Sequence, residues 1–326
     1  MSRVLIFDPL SEKGHIEFNN SFDKLFFKFE RQWVVSKDMY DSMNISCSKK
    51  YFDNKLLDKK NKFFYFINQI YLLVKFIKLS RDYDKAILAS YYLPATFLFS
   101  IIFYFSRKKY FFVEHNTVPE FNIIKDIMFR LLTCKVTHVC LAPYISEYLS
   151  RKYRKLTISI WHPFPEPQPK VKKKDNLFFM PSSTITNDDR KNIIDFFSCK
   201  PNFRLYLKGE CHSEVPKNII PQKFFDNYNI LMAQSKFVII PQSFSYRVSG
   251  VFFEAIANNC IVLMSKCEFS NSMAELFNNN VFIIDDWRFF DSIDLDITSV
   301  DISNNVDKIK EIQLNSVEVI CEAFRC

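Results

Sequence analysis

The sequence predicts an α/β protein built from two doubly wound parallel-sheet domains. Short apolar runs alternate with helical segments along the chain, which is the pattern of a parallel sheet with helices on both faces. A proline-rich break near residue 160 divides this alternation in two. The length of 326 residues also fits two domains at about 100–200 residues each. We therefore expect two domains of similar size that face each other across a cleft.

The first domain is expected to cover residues 1–162. Val4–Phe7 is a short buried strand closed by Asp8-Pro9, and a helix is expected from about 17 to 31 after Gly14-His15. The remaining expected strands lie at 33–35, 86–89, 110–113 and 136–141, with helices near 60–79, 94–105 and 121–133.

Residues 163–174 are expected to form a linker. Four prolines fall between 163 and 169, and a lysine-rich stretch follows. Because proline fixes φ and has no N–H, this segment fits neither a helix interior nor a central strand.

The second domain is expected to cover residues 175–326, and its last helix is expected to pack back on the first domain. Its expected strands lie at 177–180, 203–207, 237–240, 260–264 and 281–284, with helices near 187–197, 222–235, from Gly250 onward and after residue 264.

Glycine content disfavours several nucleotide-binding classes. The chain has 3 glycines, whereas average usage gives about 7%. Neither a G-x-G-x-x-G turn nor a G-x-x-x-x-G-K-[ST] loop can be written in it. Ordinary Rossmann dehydrogenases, P-loop NTPases and protein kinases are therefore disfavoured.

Positive charge is concentrated in the first half of the chain. Residues 1–170 hold 27 Lys and Arg against 16 Asp and Glu, and residues 171–326 hold 17 against 20. Clustered basic residues attract nucleic acid, an anionic membrane or a phosphorylated substrate, although a solvated basic face is equally compatible. Residues 63–79 and 93–105 are too polar or too short to span a bilayer. They fit either helices lying in an anionic membrane interface or ordinary helices covering a sheet.

Cysteine usage favours a reducing compartment. The nine cysteines form no C-x-x-C pair, which argues against a structural zinc site. The N-terminus leads directly into a strand-like run without a signal-peptide pattern. We therefore expect a cytoplasmic protein with free thiols.

The segment 237–264 carries the strongest functional signal. A buried strand stops at Pro241, a polar loop holding Arg247 follows, and Ser249-Gly250 opens a helix. The first turn of such a helix presents unpaired backbone N–H groups to an anion. Glu254 lies one turn further, where a carboxylate can accept hydrogen bonds from vicinal hydroxyls. This arrangement could hold a nucleoside diphosphate without a P-loop.

This segment resembles the nucleotide-binding segment of glycosyltransferases with the GT-B fold. Three further segments align in the same order: Gly14-His15 with the loop after the first strand, Glu114-His115-Asn116 with the strand end facing the donor sugar, and His162-Pro163 with the interdomain crossing. The resemblance covers residues 3–285. It implies two Rossmann-like domains and the transfer of a sugar from a nucleotide sugar.

The resemblance also implies roles for individual residues. Glu254 would bind the donor ribose, Ser249 and Gly250 the diphosphate, and Arg247 or Lys208 would neutralise the leaving nucleotide. Gly14 would belong to the ligand-binding loop, and His115 would lie near the transferred sugar. The donor would be a nucleotide-diphosphate sugar, most naturally UDP-linked, with neither a cofactor nor a metal.

The stereochemistry of transfer stays open. An inverting enzyme needs a general base, for which His15, Glu17 and His115 are the candidates, whereas a retaining enzyme needs none. Many retaining members carry a glutamate eight positions before the residue equivalent to Glu254, and here Tyr246 stands there. Pro181–Thr186 likewise replaces the usual Arg and Lys of that fold.

The leading hypothesis is a cytoplasmic hexosyltransferase of bacterial surface-polysaccharide biosynthesis, that is, of O-antigen lipopolysaccharide or capsule. It would act on a glycan acceptor carried on a membrane lipid, in peripheral contact with the inner membrane. The alternatives are a nucleotide-sugar epimerase on the same fold and a non-enzymatic basic nucleic-acid-binding protein.

Overall fold

The chain divides into two compact units, each built around one parallel sheet. The computed structural model describes residues 2–115, 117–119, 122–168, 172–210, 214–243, 245–292 and 305–325. The first unit comprises Met1–Pro163, Tyr246–Val248 and Glu311–Cys326, and the second comprises Phe164–Ser245 and Ser249–Lys310.

The sheet of the first unit has seven strands in the order β3-β2-β1-β4-β5-β6-β7, all parallel. The chain leaves β1 toward one edge and returns beside it at β4, so the switch point lies between these two strands. The elements of this unit are β1 Arg3–Phe7, α1 Ile16–Lys24, β2 Glu30–Ser36, α2 Lys37–Ser42, β3 Ser48–Phe52, α3 Lys62–Ser80, β4 Lys85–Leu88, α4 Leu93–Leu98, α5 Ser100–Phe105, β5 Tyr110–Glu114, α6 Ile123–Leu131, β6 Thr137–Cys140, α7 Pro143–Tyr153 and β7 Leu156–Ser159.

Apolar side chains alternate across this sheet and form one core on each face. Leu5 and Phe7 of β1 pack with α3 to α7, whereas Val4 and Ile6 pack with α1. A strand buried on both faces therefore reads as a continuous apolar run. The C-terminal helix α12, Asn305–Arg325, places Phe324 in the second of these cores.

The sheet of the second unit has six parallel strands in the order β10-β9-β8-β11-β12-β13. Its switch point lies between β8 and β11. The elements are β8 Lys174–Met180, α8 Asn187–Ser198, β9 Arg204–Lys208, β10 Ile219–Gln222, α9 Tyr228–Gln234, β11 Ser235–Ile240, α10 Gly250–Ala257, β12 Ile261–Ser265, α11 Glu268–Leu276 and β13 Val281–Ile284.

Helix boundaries depart from the sequence-based expectations in three places. The helix expected to reach residue 31 ends at Lys24, because Glu30–Ser36 pairs with β1 as a strand. The single helix expected over 94–105 is interrupted at Phe99, whose φ of −89° and ψ of 2° are not helical. The helix expected from residue 222 begins only at Tyr228.

Three strands were missed because each of them is an edge strand of its sheet. β3, β7 and β10 are only partly buried, so their sequences lack the apolar run that marks a central strand. Lys174, assigned to the linker, instead opens β8.

Helix α3 is long and apolar enough, by length and composition alone, to cross a membrane, whereas the sequence analysis excluded a span there. In the structure, its inner face contributes Leu72, Leu73 and Phe76 to the core under the sheet.

Truncation of Phe178 in β8 should lower the free energy of unfolding by one of the largest amounts in the protein. Phe178 is fully buried, and its ring stacks on Phe237 at a centroid distance of 4.4 Å and meets Phe197 edge-on at 4.9 Å. Phe178→Ala should lower the free energy of unfolding by about 3–5 kcal/mol, measured by urea denaturation. Phe224→Ala, at a side chain 72% exposed, is the control and should change it by less than about 0.5 kcal/mol. Equal effects would contradict this packing.

Candidate functional site

The N-terminus of α10 lies at the carboxyl edge of the second sheet, after β11. Ser249 is the N-cap residue, with φ of −98° and ψ of 115°, and its side chain makes no capping hydrogen bond. A serine at this position normally accepts a hydrogen bond from the second or third N–H of the helix. Without that bond, the first turn keeps N–H groups that can donate hydrogen bonds to an anion. Ser249 is buried, and Gly250 is exposed.

Glu254 lies one turn into α10 and is oriented by a residue that the sequence analysis missed. The phenol of Tyr228, the first residue of α9, donates a hydrogen bond to Glu254 Oε2. Burial, with the negative charge of Glu254, raises the pKa of Tyr228 well above its usual value. Tyr228 therefore stays protonated and keeps donating at neutral pH. No local motif links the two residues, which are 26 positions apart.

Lys208 ends β9 at a turn that depends on glycine. Gly209 has a φ of +104°, and a Cβ at this position would lie 3.2 Å from the guanidinium of Arg190. That guanidinium donates to the carbonyls of Lys208 at 3.1 Å and of Glu210 at 3.2 Å. Arg190 of α8 therefore fixes the turn that carries Lys208.

A side-chain hydrogen bond joins the ends of β8 and β11 at the switch point of the second sheet. Gln242 Nε2 donates to Ser182 Oγ at 2.8 Å. Ser182 belongs to the Pro181–Thr186 segment in which the sequence analysis found no basic residue. This edge therefore presents amide and hydroxyl groups.

A buried carboxylate organises the switch point of the first sheet. Asp8 follows β1 and is fully buried. Its Oδ1 accepts hydrogen bonds from the backbone N–H of Ser11, at 2.9 Å, and from the hydroxyl of Ser90 after β4. Its Oδ2 accepts from Asn19 Nδ2 of α1 at 3.0 Å. Asp8 therefore fixes the loop that leads to Gly14 and His15.

The structure brings together two of the three candidate bases. The rings of His15 and His115 stack at a centroid distance of 4.7 Å and an interplanar angle of 16°. Phe18 meets the His115 ring edge-on at 4.2 Å. Among the described residues, neither His15 Nδ1 nor His115 Nε2 has a hydrogen-bond partner, and both atoms are buried. Both nitrogens therefore keep a hydrogen-bonding capacity that the described protein atoms do not use.

Burial keeps His115 and its neighbour His162 uncharged. Desolvation, with the positive charge that His15 and His162 would carry, holds the pKa of His115 well below its usual value. Desolvation likewise lowers the pKa of His162 to about 3, against the effect of its hydrogen bond to the Pro163 carbonyl. Both imidazoles are therefore neutral at pH 7.

The other residues singled out in the first domain have different surroundings. Glu17 is exposed in the first turn of α1. Gly14 lies in a short 3-10 turn, and a Cβ there would meet no atom within 4 Å, so nothing steric requires glycine. Glu114 points into the core, where it contacts His138 Nδ1 at 2.6 Å and the Tyr91 hydroxyl at 2.8 Å. Asn116 lies outside the described residues.

Arg247 belongs to the first unit, where contacts with α7 fix its backbone and that of its neighbour. The Tyr144 hydroxyl donates to the Arg247 carbonyl at 2.7 Å. The ring of the preceding residue, Tyr246, stacks on Tyr148 at a centroid distance of 3.5 Å and an angle of 15°.

A cleft of about 770 Å³ opens beside the carboxyl ends of β1 and β2 in the first unit. Carboxylates of Glu12, Asp38, Asp41 and Asp58 line it. This cleft could not be predicted from sequence, because its lining residues come from three separate stretches of the chain, 10–16, 36–42 and 54–59. No group of three His, Cys, Asp or Glu side chains in the described part of the chain could hold a metal ion.

The neutral histidines make stability depend on pH below neutrality. The unfolded chain binds protons near pH 6.5, and the folded chain does not bind them at these two sites, so the free energy of unfolding falls as the pH falls. Between pH 7 and 5, His162 should remove about 2 kcal/mol, and His115 should contribute a loss in the same direction. Urea denaturation at both pH values should show that His162→Gln loses about 2 kcal/mol less than the wild type. An identical loss in the two proteins would contradict the neutral state of His162.

Similarity to known proteins was found in structure and not in sequence. No protein-family profile matches the chain, and no curated protein matches its sequence.

Solved structures match the whole chain. HepE from Anabaena, in complex with UDP and glucose, is 14% identical, with 100% of both chains covered and a TM-score of 0.71. Sucrose-phosphate synthase from Thermosynechococcus elongatus is 10% identical, with 100% of both chains covered and a TM-score of 0.71. UGT89C1 from Arabidopsis thaliana, complexed with quercetin, is 11% identical, covers 99% of this chain and 98% of its own, and has a TM-score of 0.62. Together with the two parallel sheets, this similarity shows that the chain has the GT-B fold of the glycosyltransferases.

Proposed function

We propose that this protein is a glycosyltransferase that moves a sugar from a nucleotide-diphosphate sugar, UDP-linked, to a glycan acceptor. The observation that carries the proposal is the uncapped N-terminus of α10, with Glu254 one turn further along the same helix. The neighbouring HepE structures, which contain UDP or UDP-glucose, support the choice of donor.

The donor diphosphate would lie on the first turn of α10. Ser249 Oγ and the N–H groups that begin at Gly250 would donate to phosphate oxygens, and the helix dipole would favour their negative charge. Glu254, held by the Tyr228 phenol, would accept hydrogen bonds from the ribose hydroxyls.

Arg247 or Lys208 would neutralise the departing nucleotide. Negative charge develops on the diphosphate as the glycosidic bond breaks, so cations already in place lower the barrier. The Arg190 contacts to the Lys208 and Glu210 carbonyls support a preorganised turn for Lys208. We propose on these grounds that transfer is metal-independent.

The acceptor would bind the first unit, near His15 and His115. A neutral imidazole with a nitrogen that lacks a protein partner can take the proton of an acceptor hydroxyl, as an inverting reaction requires. Glu17, in the turn that follows His15, is the second candidate base. The carboxylate-lined cleft beside β1 and β2 offers acceptors for the hydroxyls of a glycan.

We further propose that the enzyme is a cytoplasmic hexosyltransferase of bacterial surface-polysaccharide biosynthesis, O-antigen or capsule, which acts on a lipid-linked glycan at the inner membrane. The basic first half of the chain supports a pyrophosphate-linked acceptor, since clustered cations attract such anions.

UDP should stabilise the wild type in a way that depends on Glu254. A ligand at 100 times its Kd raises the free energy of unfolding by about 2.7 kcal/mol. Glu254→Gln keeps an oxygen that can accept from Tyr228 but removes the charge that holds the ribose. We expect its Kd for UDP to rise about tenfold or more, measured by thermal shift in parallel with GDP, ADP and CMP.

Glu268→Gln is the matched control, because Glu268 is an exposed glutamate in the first turn of α11 in the same unit. It should keep the full UDP-dependent shift. Equal shifts in the wild type and Glu254→Gln would refute the ribose assignment.

Donor hydrolysis should proceed without a divalent cation. Incubated with UDP-glucose and excess EDTA, the purified protein should release UDP slowly at the same rate as with Mg²⁺, because cationic side chains and backbone N–H groups stabilise the leaving group. Lys208→Gln should lower this rate about tenfold or more, since it removes one charge-assisted contact. A rate that collapses in EDTA and returns with Mg²⁺ would contradict metal independence, and isomerisation of the sugar would favour an epimerase.

A further inference from the structure

Three helices that cover one face of the first sheet are apolar on their outer sides as well. The core takes Phe76 from α3, Phe103 from α5 and Phe129 from α6. A helix that covers a sheet normally turns polar residues toward solvent. Here the outward side chains are apolar and exposed: Phe64 and Ile67 of α3, Ile101 and Phe105 of α5, and Ile124 and Ile127 of α6.

This exposure is concentrated rather than scattered. Of the 21 exposed large apolar side chains in the described part of the chain, 13 lie between residues 63 and 131. Isolated apolar side chains on a surface are normal, whereas a contiguous patch marks an interaction site. Phe105 is 76% exposed and Ile101 is 69% exposed, so neither is held in place by the core.

Contacts join α5 to the segment that follows α6 and to the C-terminal end of α3. Ser100 Oγ, at the start of α5, accepts from the Thr133 N–H after α6 at 2.7 Å. The Lys135 ammonium lies 4.6 Å from the centroid of the Tyr104 ring of α5. On the other side, a shallow cleft of about 460 Å³ lies between α5 and the end of α3, lined by Ile77, Ile101 and Phe105. We call this surface the α3–α6 outer face.

The segment that carries these apolar side chains is also basic. Residues 59–135 contain 13 Lys and Arg against 5 Asp and Glu, so this segment alone carries the whole net charge of +8. Arg107, Lys109 and Lys125 are exposed; the first two follow α5 in the chain, and Lys125 lies in α6. Such a combination is complementary to an apolar layer covered by negative groups.

We propose that the α3–α6 outer face docks the protein on an anionic lipid bilayer, with its Phe and Ile side chains in the headgroup region and its Lys and Arg side chains on lipid phosphates. This inference rests on the surface of the first unit alone and not on the proposed transfer reaction. A second copy of the chain would place one basic rim against another, and like charges repel across an interface. Full insertion of α3 would remove Leu72 and Phe76 from the core.

Vesicle cosedimentation tests this proposal with the full chain. The wild type should bind phosphatidylglycerol vesicles and should bind neutral phosphatidylcholine vesicles at least tenfold more weakly. High salt should release it from the phosphatidylglycerol vesicles. The triple variant Ile101→Ser, Phe105→Ser and Ile124→Ser should lose at least a hundredfold in partitioning, because each change removes apolar area from the interface. Arg107→Gln, Lys109→Gln and Lys125→Gln together should lose about a hundredfold.

A matched control separates docking from general surface polarity. Phe27→Ser, Leu156→Ser and Leu314→Ser replace three exposed apolar residues of the first unit that lie outside the α3–α6 outer face. This variant should bind vesicles like the wild type, and circular dichroism should show that all variants are folded.

Four results would overturn the proposal. The first is no binding of the wild type to anionic vesicles at low salt, and the second is an equal loss of vesicle binding in the control variant. The third is bound protein that neither high salt nor alkaline extraction releases. The fourth is a wild-type dimer that the Ile101/Phe105/Ile124 variant converts to monomers without any effect on vesicle binding. The third result would indicate a membrane-spanning α3, and the fourth would indicate self-association.

Discussion

The geometry of a parallel strand followed by a helix is the constraint on which the site depends. Each strand–helix pair brings the N-terminus of its helix to the carboxyl edge of the sheet. Where two neighbouring pairs run in opposite directions from the switch point, a crevice is left between them. In the second unit that edge carries α10, whose N-cap Ser249 does not cap it. An uncapped helix start is a loss of local stability. It becomes useful when a ligand supplies the missing acceptors.

The central elements of both sheets could be predicted from sequence, and the edges could not. In β11, residues 237–240 are buried on both faces of the sheet and therefore appear in the sequence as an uninterrupted apolar run. β3, Ser48–Phe52, has only Phe52 fully buried, so its sequence resembles a loop. The helix expected to extend to residue 31 is shorter for a related reason. The aromatic residues Phe26 and Phe29 are compatible with a helix locally, but from Glu30 onward the chain pairs with β1 as a strand.

Which site residues could be predicted depends likewise on whether their contacts are local in sequence or tertiary. Ser249, Gly250 and Glu254 could be named because they are close in sequence on one helix. Tyr228 and Arg190 could not, since they act on residues 26 and 18 positions away. The stacking of His15 on His115 likewise follows from strand order, because β1 and β5 are separated in the sheet only by β4.

The most direct measurement removes one N–H from the start of α10 and leaves the helix intact. Gly250 is the first helical residue, where proline is favoured, and Ser249 already has the extended conformation that a following proline requires. Calorimetric titration of UDP should show about tenfold or greater loss of affinity in Gly250→Pro. Gly250→Ala, which keeps the N–H, should bind within about threefold of the wild type. Wild-type affinity for UDP in a folded Gly250→Pro protein would contradict the account.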